Sequence, residues 1–196
     1  MPTDDAPTPP ATRRRRTDAQ RNEQALLAAA ARLFAASGVN APIREIAADA
    51  GVGVGTIYRH FPTRADLVVA VYRYQVDECA ELSTRLLAGP ASPEAALHQW
   101  VWAFVDFLVT KHGLADLLRP DSDNMGALHD YFLDRLVPAC AALLDAARSA
   151  GEVRADVTAY EFLRGVGNLC IGGTDDARYD PRRLVDLVLL GLGTDR

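Results

Sequence analysis

Apolar residues recur at three- and four-residue spacing along almost the whole chain, and no stretch alternates apolar with polar as a half-buried strand does. Leu26, Leu27, Ala30, Leu33 and Phe34 share one face of a helix predicted over 17–36. It opens on the capping box Thr17-Asp18-Ala19-Gln20 and is stopped by Ser37-Gly38. Two short helices follow, 43–49 with Ile46 and Ala47 inside and 54–60 with Ile57 inside. A second capping box, Thr63-Arg64-Ala65-Asp66, starts a long helix to about 87, apolar at Leu67, Val68, Val71, Tyr72, Cys79, Leu82 and Leu86. Gly89-Pro90 ends it, and Ser92 caps the next, with Pro93 at its first position. From Trp100 to Val109 that helix is apolar almost all round, which predicts a central element buried on every side. After a short helix over 114–118 comes a long one over 125–149, kinked at Pro138 and closed by Gly151. Two apolar helices complete the chain, one capped by Asp156 and ending near Cys170, the other starting at Asp180-Pro181.

The pair at 43–60 has a particular form. Gly51 supplies the left-handed residue that ends the first short helix, Val52 plugs the corner, and the second helix follows at once. Two short helices joined by a glycine-containing turn form a helix-turn-helix, whose second helix enters a DNA major groove with its N-terminal end foremost. That end is Gly53-Val54-Gly55-Thr56, nearly without side chains, so backbone can approach closely; Thr56 is the candidate for a contact near a base edge. Tyr58 and His60 follow on the same helix and can bond phosphate oxygens. Arg44 and Arg64 complete the candidate DNA contacts of this module, and the helix before it supplies the apolar face that covers it.

The run GVGVGTIYRHFPTRADL resembles the signature of the tetracycline-repressor (TetR) family of one-component regulators, with Gly-Val-x-x-Gly-Thr-(Ile/Leu)-Tyr-x-(His/Tyr)-Phe followed by Ser/Thr-Lys and an apolar helix. The close match covers about 25–72. Two positions depart from it: Arg64 stands where Lys is usual, and Ala41-Pro42 replaces the usual hydroxyl pair before the first short helix, which removes a phosphate-binding hydroxyl. The resemblance implies an all-α protein, with a three-helix helix-turn-helix DNA-binding domain over 17–62 and a six-helix ligand-binding and dimerisation domain over 63–196. It also implies a phosphate contact for Tyr58.

Charge divides along the same line. The chain carries −5 overall, yet from Arg13 to Arg64 there are nine arginines against four acids. From 65 onward twelve basic residues face twenty acidic ones, as expected of a nucleic-acid module joined to an acidic one. Residues 1–16 are rich in Pro, Thr and Asp and end in Arg13-Arg14-Arg15-Arg16. They are expected to form a disordered arm that follows phosphates, with minor-groove reading as the alternative. Cys79, Cys140 and Cys170 lie far apart in apolar contexts and read as buried free thiols. No apolar run reaches the ~18 residues of a membrane span. The N-terminus lacks the order of a signal peptide. The expected location is the cytoplasm.

The histidines His60, His98, His112 and His129 form no metal-ligand or catalytic spacing, and there is no nucleophile elbow. No catalytic residue, metal or cofactor is expected. The remaining partners are operator DNA, a second copy of the chain and a small hydrophobic or aromatic effector. The central helix and the helices after Met125 and Asp156 should enclose an apolar cavity. Its candidate lining is Trp102, Phe104, Phe107, Met125, Tyr131, Phe132 and Phe162. Asp106, one turn after Trp102, is the one charge in this stretch. Either it pairs with an arginine of another helix or reaches solvent, or it faces the cavity and favours a ligand cation together with the Trp102 ring. The last two helices are too apolar to stand free and predict a four-helix bundle between two copies, centred on Val166, Leu169, Val185, Val188 and Leu189. Two other classes remain open: a DNA-binding regulator without an effector, and a helical small-molecule carrier or enzyme.

Overall fold

The computed structural model describes residues 11–110, 123–154, 156–170 and 178–193, with side chains over 21–108 and from 126 onward within those stretches. Among the described residues there are eight helices: α1 (Ala11–Ser37), α2 (Ile43–Asp49), α3 (Val54–His60), α4 (Arg64–Leu87), α5 (Pro93–Thr110), α6 (Asp123–Ser149), α7 (Ala159–Cys170) and α8 (Pro181–Leu192). The expected helix at 114–118 lies outside them. The chain divides into two units, Met1–Leu67 and Val68–Arg196, so α4 leaves the first unit after its opening turn.

In the first unit α1 presents Leu26, Ala29, Ala30 and Phe34 to a core completed by Val39, Ala41, Ile46, Ala47, Ile57, Phe61 and Leu67. These are the inner positions that the 3.6-residue period selects. α1 starts earlier than the pattern suggested. It begins at Ala11, with Thr17 inside it, so Arg13 to Arg16 lie in helical backbone and not in a disordered arm. Alanine and arginine are strong helix formers, and a run of them extends a helix without a capping residue. The arginine side chains, and residues 1–10, lie outside the described residues.

α2 ends in a Schellman turn. Gly51 has φ +66°, Val52 N donates to Ala47 O at 2.9 Å, and Gly51 N donates to Ala48 O at 3.2 Å. Its other end carries no side-chain cap, because the cap residue is Pro42, whose ring has no acceptor. The Thr63–Asp66 box forms as expected, with Asp66 N donating to Thr63 Oγ1 at 3.1 Å and Thr63 N to Asp66 Oδ2 at 2.9 Å.

In the second unit α5 packs against α6 and α7, α6 packs on α7, and α7 on α8. Trp100, Val101, Phe104 and Val105 are at most 1% exposed, so α5 is the central helix. It is not buried on every side: Gln99 and Asp106 are exposed and Trp102 and Ala103 half-buried, a strip at helical spacing that opens outward. α6 remains one helix through the exposed Pro138 and closes at Gly151, φ +71°, in a second Schellman turn. α7 starts later than the sequence suggested. Its cap is Thr158, not Asp156, because Thr158 and Glu161 bond reciprocally as a capping box: Thr158 N donates to Glu161 Oε2 at 2.9 Å, and Glu161 N to Thr158 Oγ1 at 3.2 Å. Those bonds hold the exposed Glu161 carboxyl below its ordinary pKa. Asp180 caps α8 as expected, accepting from Arg182 N at 3.0 Å.

Candidate nucleic-acid interface and effector domain

The buried Ile46, Ala47 and Ile57 fix α2 and α3 against α1, so the opposite side of α3 faces away from the core. That side carries Tyr58, 50% exposed, with Arg59 and His60 exposed beside it. Sequence reading did not select Arg59, although its charge between two candidate contacts was a usable signal. At the leading end Gly55 is exposed, Val54 and Thr56 are half-buried, and Gly53 provides no side-chain cap. A Cβ added at Gly55 would meet nothing within 4 Å. The fold therefore does not need glycine there for space, whereas a close outside approach would. Arg44 stands exposed on α2.

Arg64 differs from expectation. Its guanidinium turns inward, donating from Nε to Val39 O at 2.8 Å and from one terminal nitrogen to the Val39 and Ala41 carbonyls, with its carbon 5.9 Å from the Phe34 ring centroid. A planar donor array satisfies two carbonyls of the α1–α2 connection at once, which a lysine ammonium does less well. The residue that departs from the usual lysine thus braces the module, a role not assigned to it from sequence.

In the second unit the aromatic residues expected to line a cavity pack on one another. Phe104 lies 5.7 Å from Trp100, 5.9 Å from Phe132 and 6.5 Å from Phe107 between ring centroids, and Phe107 lies 5.5 Å from Tyr72. Phe104, Phe107, Phe132 and Phe162 are each at most 9% exposed. Tyr131 is half-buried and donates its hydroxyl to Asp77. The Met125 side chain lies outside the described residues. Trp102 and Asp106 do stand together, but the cation between them belongs to the chain. The Arg182 guanidinium bonds the Asp106 carboxylate and sits 5.4 Å from the Trp102 ring centroid. Asp106 thus takes its alternative role, an ion pair with an arginine of another helix.

Of the residues expected at the centre of a dimer, Val166, Val185 and Leu189 are at most 1% exposed within the single chain and Leu169 is half-buried. Val166 and Leu169 lie on α7 and Val185 and Leu189 on α8, turned into their own chain. Only Val188, at 37%, is open, and the exposed apolar stripe consists of Leu187, Val188 and Leu190 on α8 with Tyr160 on α7.

The comparisons with known proteins agree along most of the chain. The family model for bacterial regulatory proteins of the tetR family matches residues 26–71, and the model for the C-terminal domain of SbtR-like transcriptional regulators matches residues 92–194. A TetR transcriptional regulator from Streptomyces coelicolor is 36% identical, with 89% of this chain and 99% of that one covered at a TM-score of 0.73. The chain belongs to the TetR family.

A TetR regulator from Mycobacterium vanbaalenii is similar at 34% identity, covering 91% of this chain and 99% of that one, with a TM-score of 0.70. HTH-type transcriptional regulators of Staphylococcus aureus are 40% identical over 63 residues, which is 32% of this chain and 34% of theirs. The match therefore spans about a third of the length of those relatives. As a TetR-family member the chain is a transcriptional regulator with a helix-turn-helix DNA-binding domain and an all-helical C-terminal domain, and not an enzyme. The C-terminal match extends the family relation beyond the stretch of about 25–72 that the signature covers. Among the described residues no helix is long and apolar enough to cross a membrane, and no group of three or more His, Cys, Asp or Glu is placed to hold a metal.

Proposed function

We propose that this TetR-family regulator acts in the cytoplasm as a homodimeric repressor on a palindromic operator and is released by a small hydrophobic effector. Residues 17–62 carry the DNA contacts, and residues 63–196 dimerise and take the effector. The observation that carries the reading is the outer side of α3. Its leading end has open space at Gly55, and Tyr58, Arg59 and His60 stand exposed behind it. A short helix of this kind suits entry into a major groove, with backbone approaching first and polar side chains on the flanking phosphates.

Dimerisation through the apolar stripe of α8 supports a palindromic operator, because a two-fold protein reads two inverted half-sites. A Bacillus subtilis regulator of the same fold, 20% identical, has been solved in complex with stearoyl-CoA, so the fold can hold a ligand. An effector releases DNA only by binding better to a state in which the two recognition helices are wrongly spaced. α4, which opens in the first unit and continues into the second, is the element that conveys this. Fluorescence-anisotropy titration of DNA from upstream of the gene should show sequence-selective binding by a dimer that weakens steeply with salt. Equal affinity for unrelated duplexes would remove the reading.

A further inference from the structure

Beside the packed aromatic cluster, α4 and α5 leave a cleft of about 350 Å³. That lies in the range of small-molecule sites, which are mostly apolar with a few placed polar groups. Tyr74 and Phe107 give it aromatic walls, and Cys79 and Leu82 an apolar floor. Burial pushes the Cys79 thiol up to about 12, so it is a neutral wall group. Two exposed carboxylates reach the cleft from opposite helices, Glu78 from α4 and Asp106 from α5. Among the described residues its one cationic lining residue is Arg85, shared between Glu78 at 3.6 Å and Glu81 at 3.7 Å. Those separations are ion pairs looser than hydrogen bonds. An anionic ligand would have to compete with two carboxylates for Arg85, while a cation meets Glu78, Glu81 and Asp106 set against only Arg85 and Arg182, an excess of negative charge.

We propose that the cleft between α4 and α5 binds a hydrophobic organic cation, an aromatic amine, whose ammonium takes the Asp106 carboxylate from Arg182. Asp106 belongs to both the cleft and the tie to α8. A ligand that occupies it frees the first turn of α8, the helix that carries the exposed Leu187, Val188 and Leu190. Binding and the placement of the apolar stripe then share one carboxylate. The inference rests on the effector-responsive reading for its consequence at DNA, and on the cleft alone for the binding itself.

Calorimetric titration of the full chain with tryptamine, and with tryptophol as the neutral counterpart bearing hydroxyl for ammonium, tests it. Tryptamine should bind more tightly, and Asp106→Asn should weaken it roughly five- to tenfold while leaving tryptophol unchanged. Glu78→Gln should weaken tryptamine in the same sense. Arg182→Gln should strengthen it, because the competing cation is gone. A tie with only a structural role moves Asp106→Asn and Arg182→Gln in the same direction, and that result overturns the proposal. Equal binding of tryptamine and tryptophol, or binding of neither, overturns it as well. Operator titration separates the two readings. Tryptamine bound in the cleft without operator release counts against the effector reading and leaves the site standing. Release by a neutral or anionic compound, with no tryptamine bound, leaves the effector reading and removes the site.

Discussion

The Tyr131 hydroxyl of α6 donates to the Asp77 carboxylate of α4 at 2.7 Å, and the same carboxylate accepts from Arg135 Nε at 2.7 Å. Arg73, one turn before Asp77, lies over the Tyr131 ring at 5.4 Å. Burial and the bond to Asp77 hold the Tyr131 hydroxyl protonated above its ordinary range. α4 is thus tied to the body of the second unit by a small polar network on its flank as well as by its apolar face. Any ligand-driven movement of α4 has to carry this network along or break it.

Replacing Asp77 with Ala removes the acceptor for both donors and leaves every candidate DNA contact in place. The expected outcome is a small loss of stability, about 1 kcal/mol, because the pairs are partly exposed. A change in effector response should accompany it while the salt slope of operator binding stays unchanged. Thermal unfolding and anisotropy titrations at several salt concentrations check both parts.

Gly55→Ala separates folding from DNA binding. The site has open space and ordinary backbone, so alanine should keep or raise helix stability by up to about 1 kcal/mol. The added methyl group stands where DNA has to approach, and operator affinity should fall. Tyr58→Ala, Arg59→Ala and His60→Ala should instead weaken binding to all sequences. Arg59→Ala in particular should lower the salt slope by about one. Unchanged affinity in all four variants would displace the proposed docking.

Arg64→Ala should behave as a stability variant. Two carbonyls lose their donor and Phe34 loses its guanidinium cover, a cost of about 1–3 kcal/mol. The salt slope should hold for the protein that remains folded, whereas a phosphate-contacting arginine would lower it.

The buried thiols predict a pH dependence. Cys79 and Cys140 are pushed from 9.0 up to about 12 by burial, and Tyr72 from 10.0 to about 12. Each folded-state value is raised, so the stability these groups contribute is fully present below pH 9. It is lost as pH rises toward 12, because the unfolded chain releases its protons first. Unfolding midpoints should fall across that window, and at pH 8 both thiols should resist alkylation until the chain unfolds.

Helix order, the helix-turn-helix and its turn glycine were legible because local spacing and backbone preference decide them. The partner of a surface charge was not. Asp106 and Arg182 are 76 residues apart, and no local pattern joins them. Nor does sequence say whether an arginine at a helix start, such as Arg64, turns inward or out. The cap of α7 was assigned to Asp156, and the reciprocal bond between Thr158 and Glu161, three residues later, places it at Thr158 instead. α8 presents the hardest case. Leu184, Val185, Leu187, Val188, Leu189 and Leu190 make it apolar on both sides, so periodicity cannot tell which side faces its own chain.

That ambiguity sets up a test of the dimer. Val185 and Leu189 are buried in the single chain, so Leu189→Ala should destabilise the fold by about 2–5 kcal/mol whatever the oligomeric state. Leu187 and Leu190 are 58% and 72% exposed, and replacing both with Asp removes little burial within the chain. In a dimer formed through this stripe, four carboxylates would be buried without partners, a cost large enough to prevent association. Sedimentation should then show a folded monomer with weakened operator binding, since two half-sites are no longer read together. A dimer that survives the double substitution with its affinity intact would place the interface elsewhere on the chain.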